Sequence, residues 1–439
     1  MSAGGVRAER ERVLLTGAAG YIGAHVHRAL RAAGHEVVAV DLMSEAVHGP
    51  NATPPEGVSL LDIRDADGLE QALRGIDVVC HLAAAVPLPE SEAAATGELP
   101  PTPREASEPS GDRGGSEARD ASADGSGPAT DQRSHPDGGA KRGGGLSPTD
   151  PQARVVRRPS AATVGGAGAS PRGMRGAPVF VAHNDVGTAV LLAAMERVGV
   201  RRLVLASSVA VYGEGRYRSV RGGPFFPALR LRRDLDRGLF DHRAPRTGDI
   251  STWEPLGEDA PLRPRSAYAA SKLAQENYAL AWSLNPGVSA TALRYHHVYG
   301  EAVEPVRSAE SGVVARFRAD LLAGRAPKLF EDGGQVRDFV HVRDVAAATV
   351  AAVERALPGF VPLNIASGRP VTVWEVAAIM SKALGGPNPV VTGQYRLTDI
   401  RHLVANPDRA RQALHFAPRI LPAHGLAAYA TGAADRRPS

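Results

Sequence analysis

The stretch "LLTGAAGYIGAHV", residues 14–26, decides the fold, because three glycines spaced three residues apart join an apolar run to an amphipathic pattern. The run "RVLLT" predicts a strand, and the pattern after it predicts a helix that begins at Tyr21. Glycine permits the tight turn between them and lets a phosphate approach the backbone, where the first N–H groups of the helix attract an anion. Gly17, Gly20 and Gly23 therefore predict a dinucleotide-binding turn, with a turn that is only rich in glycine as the alternative.

A carboxylate follows at the end of the next predicted strand. Asp41 closes "EVVAVD" and lies 18 residues beyond Gly23, the spacing at which an acidic side chain accepts hydrogen bonds from the hydroxyls of a cofactor ribose. The same charge would repel a 2′-phosphate, so the sequence favours NAD over NADP. Asp62 and Ile63 close a third strand near "VSLLD", where a carboxylate either meets an adenine amino group or simply serves a turn.

Strands and helices alternate along two separated parts of the chain, as expected for parallel strands joined by helices. These parts are residues 1–87 and 179–295, and we expect them to form one Rossmann-type, doubly wound α/β domain, with a helix from about Asn184 after the gap. Residues 88–178 are rich in Gly, Ser, Pro and charge and have few large apolar side chains, so we predict a disordered insertion. Residues 296–439 mix short strands and helices and predict a smaller α/β C-terminal domain.

Composition bounds the classes of function. The 439-residue chain has a formal net charge of +4, but nine arginines against three acidic residues between Arg216 and Arg246 give that segment alone +6. The remainder is close to neutral, so we expect no nucleic-acid partner, and we expect the arginine-rich loop, residues 216–253, to be solvated. A single cysteine, Cys80, excludes an internal disulfide and a cysteine-built metal site. Because no apolar stretch approaches the ~20 residues that span a bilayer, we expect a cytoplasmic protein without a membrane partner.

The segment "SAYAASK" places Tyr268 and Lys272 four residues apart, one turn from each other on a helix that begins near Ala267. A tyrosine loses its proton near pH 10, and an adjacent ammonium lowers that pKa, so the pair is able to act as a general base. The spacing alone is common on helices. The strand "LVLASS" precedes this helix and ends in Ser207 and Ser208, and ligands bind at the carboxyl ends of such strands. We expect a hydroxyl there to orient a substrate alcohol towards Tyr268.

In this order, the glycine turn, the ribose carboxylate, the strand-end serine and Tyr-x-x-x-Lys make the chain resemble the extended short-chain dehydrogenase/reductases. The resemblance is to the NAD-dependent nucleotide-sugar epimerases and dehydratases in particular, and it extends over nearly all of the chain outside residues 88–178. The matching pieces are "TGAAGYIG", "VVAVD", "LDIRD", "HLAA", "HNDVGT", "SSVAVYG", "YAASK", "RYHHVYG", "GGQVRDFVHVRDVA" and "YRLTDIRH".

The resemblance implies a role for each matching residue. Ser208, Tyr268 and Lys272 would be catalytic. Arg337 and Arg396 would hold the diphosphate of a nucleotide-diphosphate sugar, which suits bidentate guanidinium groups, and His297 stands where the family usually has a substrate-contacting asparagine. The resemblance also implies a substrate-binding C-terminal domain and a homodimer formed through two helices of each subunit, and with a single cysteine we expect no metal site. NAD would be lined by Gly17, Gly20, Tyr21, Ile22, Gly23, Asp41, Asp62, Ile63, Ala83, Asn184, Tyr268 and Lys272.

The residues after Ser208 discriminate among relatives. Related hexose 4,6-dehydratases carry an Asp-Glu pair where Val209 and Ala210 stand, because elimination of water needs a proton acceptor and a proton donor. Neither residue transfers a proton, which disfavours dehydration, and the missing Glu disfavours a related decarboxylase as well. The resemblance then favours a 4-epimerase that acts on a UDP- or dTDP-hexose through a transient 4-keto intermediate. A one-way nucleotide-sugar dehydrogenase or 4-keto-sugar reductase, and a non-catalytic dinucleotide sensor, stay open as alternatives.

Overall fold

The computed structural model describes residues 10–87, 174–303 and 312–433. The predicted insertion, residues 88–178, lies outside the described residues except for its last five. In chain order the strands are β1 (Arg12–Thr16), β2 (Glu36–Asp41), β3 (Val58–Leu60), β4 (Val78–His81), β5 (Arg202–Ser208), β6 (Arg216–Ser219), β7 (Gly223–Phe225), β8 (Thr252–Glu254), β9 (Ser289–Tyr295), β10 (His297–Tyr299), β11 (Lys328–Leu329), β12 (Val336–His341), β13 (Gly359–Ile365), β14 (Pro370–Thr372), β15 (Val390–Val391) and β16 (His402–Leu403).

Helices connect these strands, and α1 and α7 begin at the residues that the sequence analysis gives, Tyr21 and Ala267. They are α1 (Tyr21–Ala32), α2 (Glu45–His48), α3 (Ala66–Ala72), α4 (Ala177–Phe180), α5 (Gly187–Val198), α6 (Arg232–Leu235), α7 (Ala267–Ser283), α8 (Val313–Leu322), α9 (Val342–Glu354), α10 (Val373–Leu384), α11 (Asp408–Leu414) and α12 (Pro422–Thr431).

Seven parallel strands form the main sheet in the order β13–β9–β5–β4–β1–β2–β3, which confirms the doubly wound α/β fold. Apolar side chains cover both faces. Val26 and Leu30 of α1 pack on one face together with α9 and α11, and Leu191 of α5 packs on the other together with α3 and α7. Burial on both faces explains why the strands appear in the sequence as nearly continuous apolar runs. The strand order reverses between β1 and β4, so their carboxyl ends open a crevice for a ligand.

The helix after the predicted insertion starts earlier than expected. A 3-10 turn at Met174–Gly176 leads into α4, a π-helical turn at Val181–Val186 and α5, whereas the prediction began at about Asn184. The error arises because Gly176 and Pro178 indicate a loop in the sequence, although proline fits the first turn of a helix. Contrary to the sequence-based expectation, this helix is long and apolar enough to cross a membrane by length and composition alone. Its inner face packs on the main sheet, as that of a core helix does.

The boundary predicted at residue 296 divides the main sheet. Strand β13 forms the edge of that sheet beside β9, although it lies well beyond the boundary. Around it, the C-terminal part builds smaller sheets in which β12 pairs with β10, β14 and β16. A separate apolar core joins α8, α10 and α12 through Phe317, Met380 and Leu426. A seven-residue strand after a helix contains no local signal that tells to which sheet it belongs.

The arginine-rich segment contains a small sheet and is not only a loop as expected, although seven of its nine arginines are exposed to solvent. Strands β6, β7 and β8 form an antiparallel sheet in which Tyr217 is fully buried while Arg218 faces outwards. Arg230 also lies inside the protein, where it pairs with Glu331. The alternation of buried and exposed positions has the period of a strand, but arginines on the outer face conceal it in the sequence.

Candidate active site

The glycine turn after β1 has the tight backbone that the sequence predicts. Gly17 has φ +73°, and a Cβ there would lie 2.6 Å from the backbone nitrogen of Ala83. A Cβ on Gly23 would lie 1.9 Å from the carbonyl oxygen of Gly17. Gly20 precedes α1 without a side-chain capping bond to the helix, so the first N–H groups of α1 face the crevice beside Ala83 without a side-chain acceptor of their own.

Asp41 lies at the carboxyl end of β2 and is 8% exposed. Its two carboxylate oxygens accept hydrogen bonds from the backbone nitrogens of Ala19 and Met43, each at 2.9 Å. Burial opposes ionisation of the carboxyl, but the adjacent His48 imidazole and the hydrogen bonds from Met43 and Ala19 outweigh it and lower the pKa of Asp41. The charge therefore persists beside the glycine turn, where the sequence predicts a ribose ligand.

Other predicted cofactor residues lie around the same crevice but direct their side chains elsewhere. Asp62 pairs with Arg64, which lowers the pKa of its carboxyl. Ile63 packs closely on Gly187, since a Cβ on Gly187 would lie 2.5 Å from the Cδ1 of Ile63. The hydroxyl of Tyr21 donates to the carbonyl of Gly300 at 2.9 Å, and Ile22 packs against the apolar core. Tyr21 and Ile22 thus present mainly the backbone of the first turn of α1 to the crevice.

Asn184 lies in the π-helical turn and ties three elements together. Its amide oxygen accepts from the backbone nitrogen of Ala85 at 2.7 Å, and its amide nitrogen donates to Ser271 at 2.8 Å. Ala83, two residues before Ala85, donates its backbone N–H to Thr16 at 3.2 Å. Because π-helical turns are uncommon and recur at functional sites, this one supports a positioning role for Asn184 between β4 and α7.

The three predicted catalytic residues converge at the carboxyl edge of the sheet. Ser208 ends β5, and Tyr268 and Lys272 lie in the first two turns of α7, which Ser266 caps by accepting from the backbone nitrogen of Ala269. The hydroxyl of Ser208 lies near the phenol of Tyr268 and lowers its pKa. The end of β5 and the start of α7 adjoin, and they therefore bring together Ser208 and Tyr268, which are 60 positions apart in the sequence.

The charges around Tyr268 differ from the expected pattern. Burial raises the pKa of Tyr268 to about 12, and the nearby Ser208 hydroxyl only partly offsets this effect. Lys272 does not supply the expected lowering, because its ammonium donates to the carbonyl oxygen of Ala206 at 3.0 Å. Burial lowers the pKa of Lys272 to about 7, while Glu276 raises it. Within the chain alone, the phenol of Tyr268 is therefore protonated at neutral pH.

Sequence reasoning missed Phe180. This residue lies in α4, in the second part of the Rossmann domain, and the sequence analysis gave it no role. Its ring meets the ring of Tyr268 edge-on, with centroids 5.8 Å apart and planes at 64°. Phe180 is 6% exposed and fixes the orientation of the Tyr268 side chain.

The predicted substrate residues lie in the C-terminal part, but they are not equivalent. His297 of β10 packs beside Phe339, with ring centroids 5.5 Å apart. The guanidinium of Arg337 donates to the backbone carbonyls of Val336 and Arg401 at 2.8 and 2.9 Å, and to that of Ile400. Arg337 thus braces the segment that carries Arg401, and its predicted role as a diphosphate ligand stays a prediction.

Arg396 shares an aromatic ring with an arginine that sequence reasoning missed. The guanidinium carbons of Arg396 and Arg316 lie 4.9 and 5.8 Å from the ring centroid of Phe330. Partial burial and the charge of Arg396 lower the pKa of Arg316. Two like charges beside one ring repel each other, and an anion bound between them offsets that repulsion. This pair of arginines is therefore a candidate phosphate site. The only signal in the sequence was a cation within the apolar pattern of α8.

The comparisons with known proteins agree with this geometry. Residues 13–98, 158–227 and 246–366 match a family described as the NAD dependent epimerase/dehydratase family, and these ranges exceed half of the chain. The chain belongs to this family. The family is the one that the sequence motifs resemble, and its fold is the one observed.

Relatives of the chain include sugar epimerases. The dTDP-L-rhamnose 4-epimerase of Burkholderia thailandensis is 34% identical over 246 residues, which cover 54% of this chain and 64% of that protein. The UDP-glucose 4-epimerase of Mycolicibacterium smegmatis is 32% identical over 57% of this chain and 68% of that protein. The matched part of the first relative is thus just under two thirds of its length. The UDP-glucose 4-epimerase of Thermus thermophilus, solved in complex with NAD, is 25% identical with a TM-score of 0.58, covering 96% of this chain and 98% of that chain.

Proposed function

We propose that this protein is an NAD-dependent nucleotide-sugar 4-epimerase that acts on a UDP- or dTDP-hexose through a transient 4-keto sugar. The observation that carries the proposal is the convergence of Ser208, Tyr268 and Lys272 at the sheet edge, beside the glycine turn. Membership of the epimerase/dehydratase family and the names of the relatives support it.

The residues at the crevice fit NAD. The backbone at Gly17 and Gly23 leaves no room for a Cβ, and the start of α1 is not capped by a side chain, as a bound pyrophosphate requires. The buried carboxylate of Asp41 suits two ribose hydroxyls and disfavours a 2′-phosphate. When bound, NAD supplies the hydride acceptor and a positive charge that favours the Tyr268 phenolate.

The chain's own groups move and hold the proton. Tyr268 accepts the proton of the C4 hydroxyl through its phenolic oxygen, and Ser208 orients that hydroxyl by a hydrogen bond. Lys272 lies one helical turn from Tyr268, but its ammonium donates to the carbonyl oxygen of Ala206, so the positive charge that favours the phenolate is assigned to the bound NAD. Val209 is 5% exposed and apolar, and neither it nor Ala210 is able to transfer a second proton, so elimination of water is disfavoured.

The diphosphate end of the substrate is assigned to the cations beside Phe330. Arg316 and Arg396 supply charge and forked donors, and the ring of Phe330 offers an apolar surface to the nucleotide base. Holding this end while the sugar turns is what inversion at C4 requires.

The test incubates the full chain with NAD and a panel of UDP- and dTDP-hexoses. Formation of the C4 epimer without net NADH supports the proposal. Stoichiometric NADH would indicate a one-way dehydrogenase, and absence of turnover with intact NAD binding would indicate a sensor. Ser208→Ala serves as a variant with reduced turnover, and Ser219→Ala, a buried serine of β6, serves as the matched control.

We also propose a homodimer. The helix that contains α4 and α5 packs against α7, and on these two helices several large apolar side chains are exposed. Because exposed apolar faces of this kind are covered in most folded proteins, a second copy is the proposed cover. Light scattering coupled to gel filtration should give twice the chain mass, and Val186→Glu should halve it. The exposed side chains are Val179 (53%), Val181 (48%), Val186 (46%), Tyr278 (45%) and Leu280 (44%), together with Leu284 (78%), which directly follows α7.

A further inference from the structure

His296 is a buried histidine without a hydrogen-bond partner at the edge of the candidate active site. His296 is 3% exposed, and neither Nδ1 nor Nε2 of its ring has a hydrogen-bond partner among the described residues. Leaving a polar group buried and unsatisfied costs about 1–3 kcal/mol, so such groups are rare without a reason. By contrast, His81 is equally buried but bonds through both nitrogens to Thr16 and Thr188, at 2.8 and 3.0 Å.

The register of the sheet places His296 beside the catalytic residues. Tyr295 pairs with Ser208 of β5 and with Ile365 of β13, and His296 is the next residue. Its backbone N–H still donates to the carbonyl of Ile365 at 3.0 Å, so it continues the strand. His296 therefore lies at the same carboxyl edge as Ser208.

The alternation of side chains indicates which face of the sheet His296 occupies. The hydroxyl of Tyr295 bonds to Thr349 of α9 at 2.8 Å, on one face. Arg294 reaches the other face, where it pairs with Glu276 of α7 at 2.7 Å. Because successive side chains of a strand point to opposite faces, His296 lies on the face of α7, the helix that contains Tyr268.

Burial determines the chemistry of the imidazole. It lowers the pKa of His296 to about 3, so the ring is neutral at physiological pH and offers one donor and one acceptor. A hydroxyl group matches such a pair, because it also donates one hydrogen bond and accepts others. A carboxylate or a phosphate offers only acceptors and would leave the acceptor nitrogen of the ring unpaired.

We propose that His296 is a specificity-determining residue that bonds to a hydroxyl of the bound hexose other than the reacting one. This inference rests on the proposed function, since it assumes that a nucleotide sugar occupies the crevice. The cost of the unpartnered ring is recovered when substrate binds, and a sugar without that hydroxyl leaves the ring unpaired.

The test is a thermodynamic cycle that combines a change in the protein with a change in the substrate. The full chain and His296→Phe are assayed with the preferred nucleotide hexose and with its 2-, 3- and 6-deoxy analogues. For the wild type, removal of one particular hydroxyl should lower kcat/KM about ten- to hundred-fold, and for His296→Phe the same removal should have little effect. His296→Asn, which keeps a donor and an acceptor, should restore part of the discrimination. NAD affinity, measured by fluorescence titration, should be the same in all three proteins.

A matched control is His35→Phe. His35 is also buried, at 6% exposed, but it precedes β2 at the opposite edge of the sheet, where its Nδ1 accepts from the backbone of Glu11. This variant should keep the wild-type discrimination. Equal losses for every deoxy analogue in wild type and His296→Phe would overturn the inference, and so would a loss of NAD affinity in His296→Phe. A wild-type chain that turns over no hexose at all would instead overturn the proposed function on which it rests.

Discussion

Arg230→Met should destabilise the protein far more than the same change at Arg221, although both arginines lie in the arginine-rich segment. Arg230 and Glu331 have side chains that are 4% and 0% exposed, and their atoms approach to 2.7 Å. Arg221 pairs with Asp249 on the surface, where its side chain is 71% exposed. Removing one partner of a buried pair costs about 3–5 kcal/mol, whereas exposed pairs contribute little.

The structure places the expected loss for Arg230→Met at the lower end of that range. Glu331 keeps a second cation, because Arg401 lies 3.0 Å from its other oxygen. The variant also removes donors from the carbonyls of Phe240 and Asp399, at 3.1 and 2.8 Å. Together these contacts predict a loss of about 3 kcal/mol in the free energy of unfolding.

Urea denaturation followed by circular dichroism measures the effect. The midpoint should fall clearly for Arg230→Met with an unchanged slope, and it should stay at the wild-type value for Arg221→Met. Glu331 and Asp399 lie close in the sequence to Phe330 and Arg396, which form the candidate diphosphate site. We therefore also expect Arg230→Met to weaken substrate binding, so that KM rises more than kcat falls. Equal midpoints for the two variants would refute the view that burial makes the Arg230 pair different.

Three further predictions address the site and its surroundings. Tyr268→Phe should abolish turnover while NAD affinity stays within about threefold in a fluorescence titration, and retained turnover would remove the proposed base. Gly23→Ala should weaken NAD binding at least tenfold, because its Cβ would lie 1.9 Å from a carbonyl oxygen, whereas Gly257→Ala, with open space around it and no positive φ, should not change the affinity. Although burial opposes ionisation, contacts with His242, Tyr217 and Arg265 lower the pKa of Glu214 to about 2. Ionised Glu214 therefore stabilises the folded protein by about 3 kcal/mol at pH values above its unfolded pKa of about 4.5. This stabilisation is lost as the pH falls towards 2. Glu214→Gln should consequently flatten the decline of stability between pH 5 and pH 3.

Much of the candidate site was predictable because its signals are local. The turn at Gly17, Gly20 and Gly23 depends on backbone sterics over a few residues, and Tyr268 and Lys272 lie one helical turn apart in any helix. Their common location also followed, because parallel strands place their carboxyl ends at one edge. The electrostatics of Tyr268 did not follow. Whether an ammonium lowers its pKa depends on where the ammonium points, and Lys272 points to the carbonyl of Ala206.

The sequence by itself determined the doubly wound fold, the glycine turn and the spacing of the candidate catalytic pair, since each depends on periodicity or on the reach of a few residues. Only the tertiary structure decided that β13 joins the main sheet, that Arg230 pairs with Glu331 from 101 residues away, and that His296 is buried without a partner among the residues that the structure describes. The physical reason is that burial and pairing belong to the folded arrangement of distant segments. A short segment of sequence shows which groups a residue is able to offer, and the packing around it determines which of them remain available.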